Sequence, residues 1–223
     1  MDPFRLCLAL GPVAIYLLLL GAVNLSRRPL LVSGVRDAAM LALSVSGLMI
    51  IGPIELFFPF EAAAQFGPRV WLMLLTLYAL CVVLVLLLLR PRLVIYNISI
   101  DRLRAILAES VDRLDPEARW AGDSLALPGL GVQLYVDNFA AFRSISLVSA
   151  GGQQSHQGWR RLEAALAPAI AREEIGRNPG GLALVGTGLL MIGAIGVSIA
   201  QNPKAVAQSL CDIAEAVMRM AGF

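Results

Sequence analysis

The chain has 223 residues, 58% of them hydrophobic and only 15% charged, and its mean hydropathy of +0.74 lies far from that of a soluble globular domain. The net charge is +2 and Lys204 is the single lysine, so the basic field of a nucleic-acid binder is excluded. Cys7, Cys81 and Cys211 are odd in number and His156 is the only histidine, so no disulfide framework, haem or other cofactor is expected. A structural zinc is not expected either, because it asks for about four converging N or S ligands.

Crossing a bilayer takes roughly 20 apolar residues at about 1.5 Å of rise each. The first such run, Phe4 to Leu25, begins behind a single arginine balanced by Asp2 and ends without a small-x-small cleavage pattern. It is expected to be a retained transmembrane helix rather than a signal peptide. A loop with Arg27, Arg28 and Arg36 leads to the second run, Ala38 to Phe58, and the third covers Val70 to Leu89.

The second run ends in "IIGPIELFFPFE", which sets Pro53 and Glu55 among apolar neighbours. With the helix centred near Val45 to Met49, Glu55 falls about 10 Å from the midplane, close to the edge of the hydrocarbon. A charge costs far less there than at the centre, where insertion scales give about 2.5 to 3.5 kcal/mol. Pro53 removes a helical hydrogen bond and bends the exit. Glu55 is thus expected to be interfacial, and it is also the best single intramembrane polar candidate.

From residue 91 to about 177 the pattern turns from solidly apolar to periodic. "RLVIYN" reads as a strand, and Ser99 is placed to cap a helix over Ile100 to Leu114 with Leu103, Ile106, Leu107 and Val111 on one face. Period-two stretches follow in "SLAL", "VQLYV" and "SISLV", with "ARWAGDSLAL" readable as one strand or a hairpin. A second amphipathic helix carries Trp159, Leu162, Leu166 and Ile170. The order β-α-β-β-β-α predicts a small α+β domain, an antiparallel sheet with two helices on one face.

The fourth span covers residues 178–201. Gly186, Gly193 and Ala200 recur at seven-residue steps with Gly196 beside them, as expected of a helix-packing seam within the chain or between copies. In residues 202–223 Val206, Leu210, Ile213, Val217 and Met220 form one stripe, so a short amphipathic helix closes the chain. The expected architecture is an α-helical integral membrane protein. It has three spans within residues 1–90 (about 4–25, 38–58 and 70–89), the inserted α+β domain at 91–177, a fourth span and the terminal helix. Arginines cluster in the first loop and at both ends of the insert, which places the soluble domain in the cytoplasm and both termini outside the cell membrane.

Catalytic signals are thin. His156 stands at a helix start without a nearby nucleophile, and Asp123 and Asp137 sit at turns, where aspartate serves the backbone. The glycine-rich "PGLG" and "GRNPGG" lack a phosphate-binding spacing. The sequons at Asn24 and Asn97 fall on the inner side and are read as chance. The expectation is a non-enzymatic membrane protein whose soluble domain binds a protein partner or helps assemble a complex or homo-oligomer, with the lipid bilayer as its surroundings. Two alternatives remain. A transport or channel subunit would show a polar cavity between the spans, and a membrane enzyme would bring Glu55, Asp123, Tyr135, Asp137 or His156 together in one pocket.

Overall fold

A computed structural model describes residues 3–54, 56, 58–67, 69–139, 143–152, 154–176 and 178–221. Four long apolar helices and one small antiparallel sheet dominate it. The helices are α1 (Pro3–Leu25), α2 (Gly34–Met49, continued by a π turn over Ile50–Ile54), α4 (Arg69–Leu88) and α7 (Gly180–Gln201); each is long and apolar enough to cross a membrane. A short α3 (Phe60–Phe66) precedes α4, and α8 (Pro203–Ala221) ends the chain. The wide turn at Ile50–Ile54 contains Pro53, whose missing amide a regular α-helix cannot accommodate without distortion. Glu55 lies outside the described residues, as do the side chains of Leu210, Ile213, Val217 and Met220.

The chain divides into two compact units, Met1–Leu18 with Ala39–Leu87 and Gly186–Phe223, and Leu19–Ala38 with Leu88–Val185. In the first, α2 approaches α1 so closely at Gly47 that an added Cβ would overlap the carbonyl oxygen of Leu8. Gly188 of α7 lies just as tightly against α1, where a Cβ would meet Leu18 Cγ at 2.9 Å and the Ala14 carbonyl at 3.1 Å. Backbones come this near only where a side chain is missing. Tyr78 of α4 donates its hydroxyl to the Ala42 carbonyl of α2 at 3.1 Å, and Phe58 stacks on Trp71 with ring centroids 4.8 Å apart. Ser44, Ser46 and Thr76 donate to carbonyls of their own helices, which satisfies a hydroxyl without a polar neighbour.

The second unit holds the sheet, with strands β1 (Leu30–Ser33), β2 (Arg92–Tyr96), β3 (Arg119–Ala121), β4 (Ser124–Leu127), β5 (Val132–Phe139) and β6 (Ser144–Ser149). The spatial order is β1-β2-β6-β5-β4-β3, antiparallel throughout. Helices α5 (Ile100–Leu114) and α6 (His156–Arg172) share one core with it: Leu103, Leu107, Leu162 and Leu166 are fully buried against Ile95, Leu134, Ile145 and Leu147. Alternation along β5 and β6 sends Val132, Leu134, Val136, Ile145 and Leu147 inward, as a one-sided sheet requires. The readable hairpin in "ARWAGDSLAL" is present as β3 and β4, joined through Gly122 at φ +63°.

The expected four- or five-stranded sheet confined to 91–177 needs one correction. Its edge strand β1 comes from the first loop, between α1 and α2, and pairs Leu30 with Tyr96 and Ser33 with Leu93. A loop of four apolar-to-small residues between Pro29 and Gly34 finds its backbone partners on β2, where the edge would otherwise stand open.

Candidate functional site

The β1–β2 ribbon is where the helix ends of this unit meet the sheet. Strand β1 leaves the end of α1 and delivers the chain into the start of α2, while β2 follows the end of α4 and runs back toward the end of α1. Two polar clusters tie the ribbon down.

The first is built on three buried asparagines, Asn24, Asn97 and Asn178. Asn24, in the last turn of α1, donates Nδ2 to the Leu20 carbonyl at 2.9 Å and accepts from Asn178 Nδ2 at 3.1 Å. Asn178 also donates its backbone N–H to the Asn24 carbonyl at 3.0 Å, and its Oδ1 caps α7 by accepting from Gly180 N at 3.1 Å. Asn97, directly after β2, donates Nδ2 to the Ser26 carbonyl at 2.8 Å and the Val23 carbonyl at 3.4 Å. The Val23 carbonyl in the last turn of α1 also accepts from Ser26 Oγ at 2.7 Å and Ser26 N at 3.2 Å, so Asn97 adds to the capping of this helix end and ties in the Ser26 carbonyl just beyond it. It does so at φ +59°, the left-handed region that asparagine tolerates better than other side chains. Beside this knot α1 and α7 touch through glycines, a Cβ on Gly181 meeting the Gly21 carbonyl at 2.9 Å.

The second cluster centres on Asp37 in the first turn of α2. Tyr96 donates its hydroxyl to Asp37 Oδ1 at 2.5 Å, and Arg92 pairs with Oδ2 at 3.0 Å. Both donors point from the same face of β2, with buried Val94 between them. Gly34 lets the Arg92 side chain lie across the start of α2, where a Cβ would overlap its Cγ. The Arg92 Nε and the Asn97 Oδ1 are buried without a hydrogen-bond partner, so these clamps hold a defined geometry at some desolvation cost.

Of the residues weighed for catalysis, Glu55 lies outside the described residues, and the others fall on a turn, an exposed sheet face and a helix start, with Asp123 beside Tyr135 and Asp137 through its carbonyl, which accepts from Val136 N at 2.8 Å. Asp123 lies in the β3–β4 turn paired with Arg104 of α5, Tyr135 and Asp137 stand exposed on the sheet face away from α5 and α6, and His156 opens α6 behind its cap Ser155. Among the described residues no three of His, Cys, Asp and Glu come close enough to hold a metal ion. Asn24 and Asn97, which carry the two sequons, are both fully buried and hydrogen-bonded, a state that no glycan-bearing side chain shares.

The glycine seam was expected to pack within the chain or between copies. Among the described residues nothing lies within 4 Å of a Cβ placed on Gly186, Gly193 or Gly196, and Ala200 is exposed; the close contacts of α7 fall on Gly181 and Gly188. Gly193→Leu should therefore leave the melting of the monomeric chain within about 0.5 kcal/mol of the parent. A larger loss in detergent, together with a change in oligomer size, would show that a second chain covers this stripe.

Sequence reasoning missed the asparagine knot because the sequon pattern drew attention to a modification rather than to burial. The available signal was the repeated placement of Asn at an element end: Asn24 at the close of an apolar run, Asn97 after a strand, Asn178 before the last span. Comparison with known protein families, curated proteins and solved structures finds no match to this chain.

Proposed function

We propose that this chain is a multi-pass protein of the cell membrane that carries its α+β unit as a fixed, non-enzymatic docking module on the cytoplasmic side, binding a protein partner or assembling a complex. The observation that supports this reading is the β1–β2 ribbon, whose two ends are bound to the neighbouring helix ends by Asn97 and by Asp37 with Arg92 and Tyr96. These clamps hold the unit's own surface in one shape, from which a docking surface gains. Arg27, Arg28, Arg36 and Arg90 stand near the helix ends of this unit, which supports an inside position by the positive-inside rule.

The exposed sheet face suits docking better than chemistry. Tyr135 and Phe139 are 40% and 59% exposed there, set among Ser124, Gln133, Asp137 and Ser146. Aromatic anchors in a polar surround are the usual composition of a protein interface.

Affinity capture of the full chain from mild detergent tests the proposal, with Asp37→Ala as the comparison. A stoichiometric partner is expected on the parent chain and in reduced yield, by roughly fivefold to tenfold, on the variant, because breaking a partly buried pair loosens the presentation of the unit. Recovery of the bare chain in both cases would overturn the reading.

A further inference from the structure

On the sheet face away from α5 and α6, strand β6 forms a low lane between two taller strands. Tyr96, Ser144 and Phe139 stand in one row across it, and Arg92, Val148 and Tyr135 in another. Between these rows the short Ser146 lies in register with Asp137 of β5. The β2 side is engaged, since Arg92 and Tyr96 hold Asp37 of α2, whereas Tyr135, Asp137 and Phe139 on the β5 side are exposed.

Charge is divided unevenly between the two faces of this unit. The outer sides of α5 and α6 present Glu109, Asp112, Arg113 and Arg160, both signs mixed, as on a solvated helix face. On the sheet face Arg92 is neutralised by Asp37, and Arg119 stands at the β3 edge. Asp137 forms no ion pair among the described residues. Two strands and two rows separate it from Arg119, roughly 17 Å, which is beyond the screening length of about 8 to 10 Å. The centre of this face is therefore aromatic, poor in charge and locally acidic.

Its place beside the helix ends narrows what can cover it. Strand β1 runs from the end of α1 to the start of α2, and β2 begins four residues beyond α4. If those helices cross a bilayer, both ends of the ribbon lie at its surface and the strands run along it. The first turn of α2 stands over the same face, where Asp37 meets Arg92 and Tyr96, and among the described residues no strand packs along the rest of that helix. The exposed part of the face is thus on the side from which α2 departs. A segment flanking a membrane helix of another protein reaches such a surface, and on the cytoplasmic side these segments are rich in Arg and Lys. Anionic headgroups fit less well, because they repel the Asp137 carboxylate.

We propose that this face docks the basic juxtamembrane segment of a second membrane protein, with Tyr135 and Phe139 against its apolar residues and Asp137 opposite an arginine or lysine. The site rests on the docking reading above and gives the partner a chemistry.

The probe is a dye-labelled synthetic helix with lysine on one face and leucine on the other, compared with its glutamate counterpart. Each is titrated onto the full chain in neutral detergent while anisotropy is followed, with empty micelles as the blank. The lysine peptide is expected to bind the parent chain and the glutamate peptide to leave it unbound. Asp137→Lys should weaken the lysine peptide about tenfold and Tyr135→Ala about fivefold, equivalent to about 1.4 and 1 kcal/mol. Asp137→Asn, which removes the charge alone, should weaken it about threefold and keeps the test open if the lysine variant does not fold. Asp112→Lys, on the exposed side of α5, should change nothing.

Equal binding by the parent and Asp137→Lys, or equal binding of the two peptides, would overturn the site. A parent chain that dimerises in detergent while Asp137→Lys stays monomeric would assign the face to a second copy and overturn the separate partner. A stoichiometric partner captured equally by the parent and Asp137→Lys would instead refute this face as its seat and leave the docking reading standing.

Discussion

Asn97→Val is expected to destabilise the α+β unit by roughly 2 to 6 kcal/mol. Two causes add. A β-branched residue at φ +59° carries about 1 to 3 kcal/mol of backbone strain, and the Ser26 and Val23 carbonyls lose a buried donor at roughly 1 to 3 kcal/mol. Asn97→Gly separates them, since glycine adopts the same φ freely and forfeits only the hydrogen bonds; it should cost roughly 1 to 3 kcal/mol. The emission of Trp120 and Trp159 reports the melt of this unit in the full chain, although Trp71 of the other unit contributes a background to be removed by Trp71→Phe. At roughly 2 to 4 °C per kcal/mol for a chain of this size, the valine variant should melt at least about 4 °C lower. If valine and glycine variants melt alike, backbone strain contributes nothing; if both melt with the parent, the asparagine knot does not hold the unit together.

Gly158→Ala is the second large effect. Gly158 lies in the first turn of α6, buried against the short turn Pro128–Leu130, and an added methyl would overlap the Leu130 carbonyl and stand 2.8 Å from Val132 Cγ2. Neither neighbour can swing away, because one is backbone and the other belongs to a buried strand residue. Overpacking of this kind costs about 1 to 3 kcal/mol, and α6 can relieve it only by lifting Trp159 and Leu162 from the core. The intrinsic preference of helices for alanine over glycine, about 1 kcal/mol, works in the opposite direction. A net loss of up to roughly 2 kcal/mol is expected, read as a lower melting midpoint and a red shift in Trp159 emission. Gly152→Ala is the control, because nothing lies within 4 Å of its Cβ position. Equal behaviour of the two variants would mean that α6 seats more loosely than its contacts imply.

Much of the architecture was legible without coordinates. The apolar runs announced the four long helices, since length and hydropathy are properties of a contiguous stretch. The helix over Ile100–Leu114 was legible from its face of Leu103, Ile106, Leu107 and Val111, although the Ser99 side chain expected to cap it makes no capping hydrogen bond. Period-two alternation found β4, β5 and β6 for the same reason: each signal lies within one element.

What stayed hidden depends on residues far apart in the chain. Asn24 meets Asn178 across 154 positions, and Asn97 reaches Ser26 across 71. No local pattern distinguishes such an asparagine from one in a solvated turn. The four residues of β1 are too few to show an alternation, and they become a strand because β2 offers an unpaired edge beside them. The seam of α7 shows the same limit: seven-residue spacing picked out Gly186, Gly193 and Gly196, yet the approach to α1 uses Gly181 and Gly188. Periodicity reveals which residues share a helix face, but which face is covered depends on where the other helices lie. Sequence alone therefore determined the number of apolar helices, the presence of an inserted α+β segment and the elements with internal rhythm. Tertiary structure decided the sixth strand and the polar clamps, because each requires distant segments to meet.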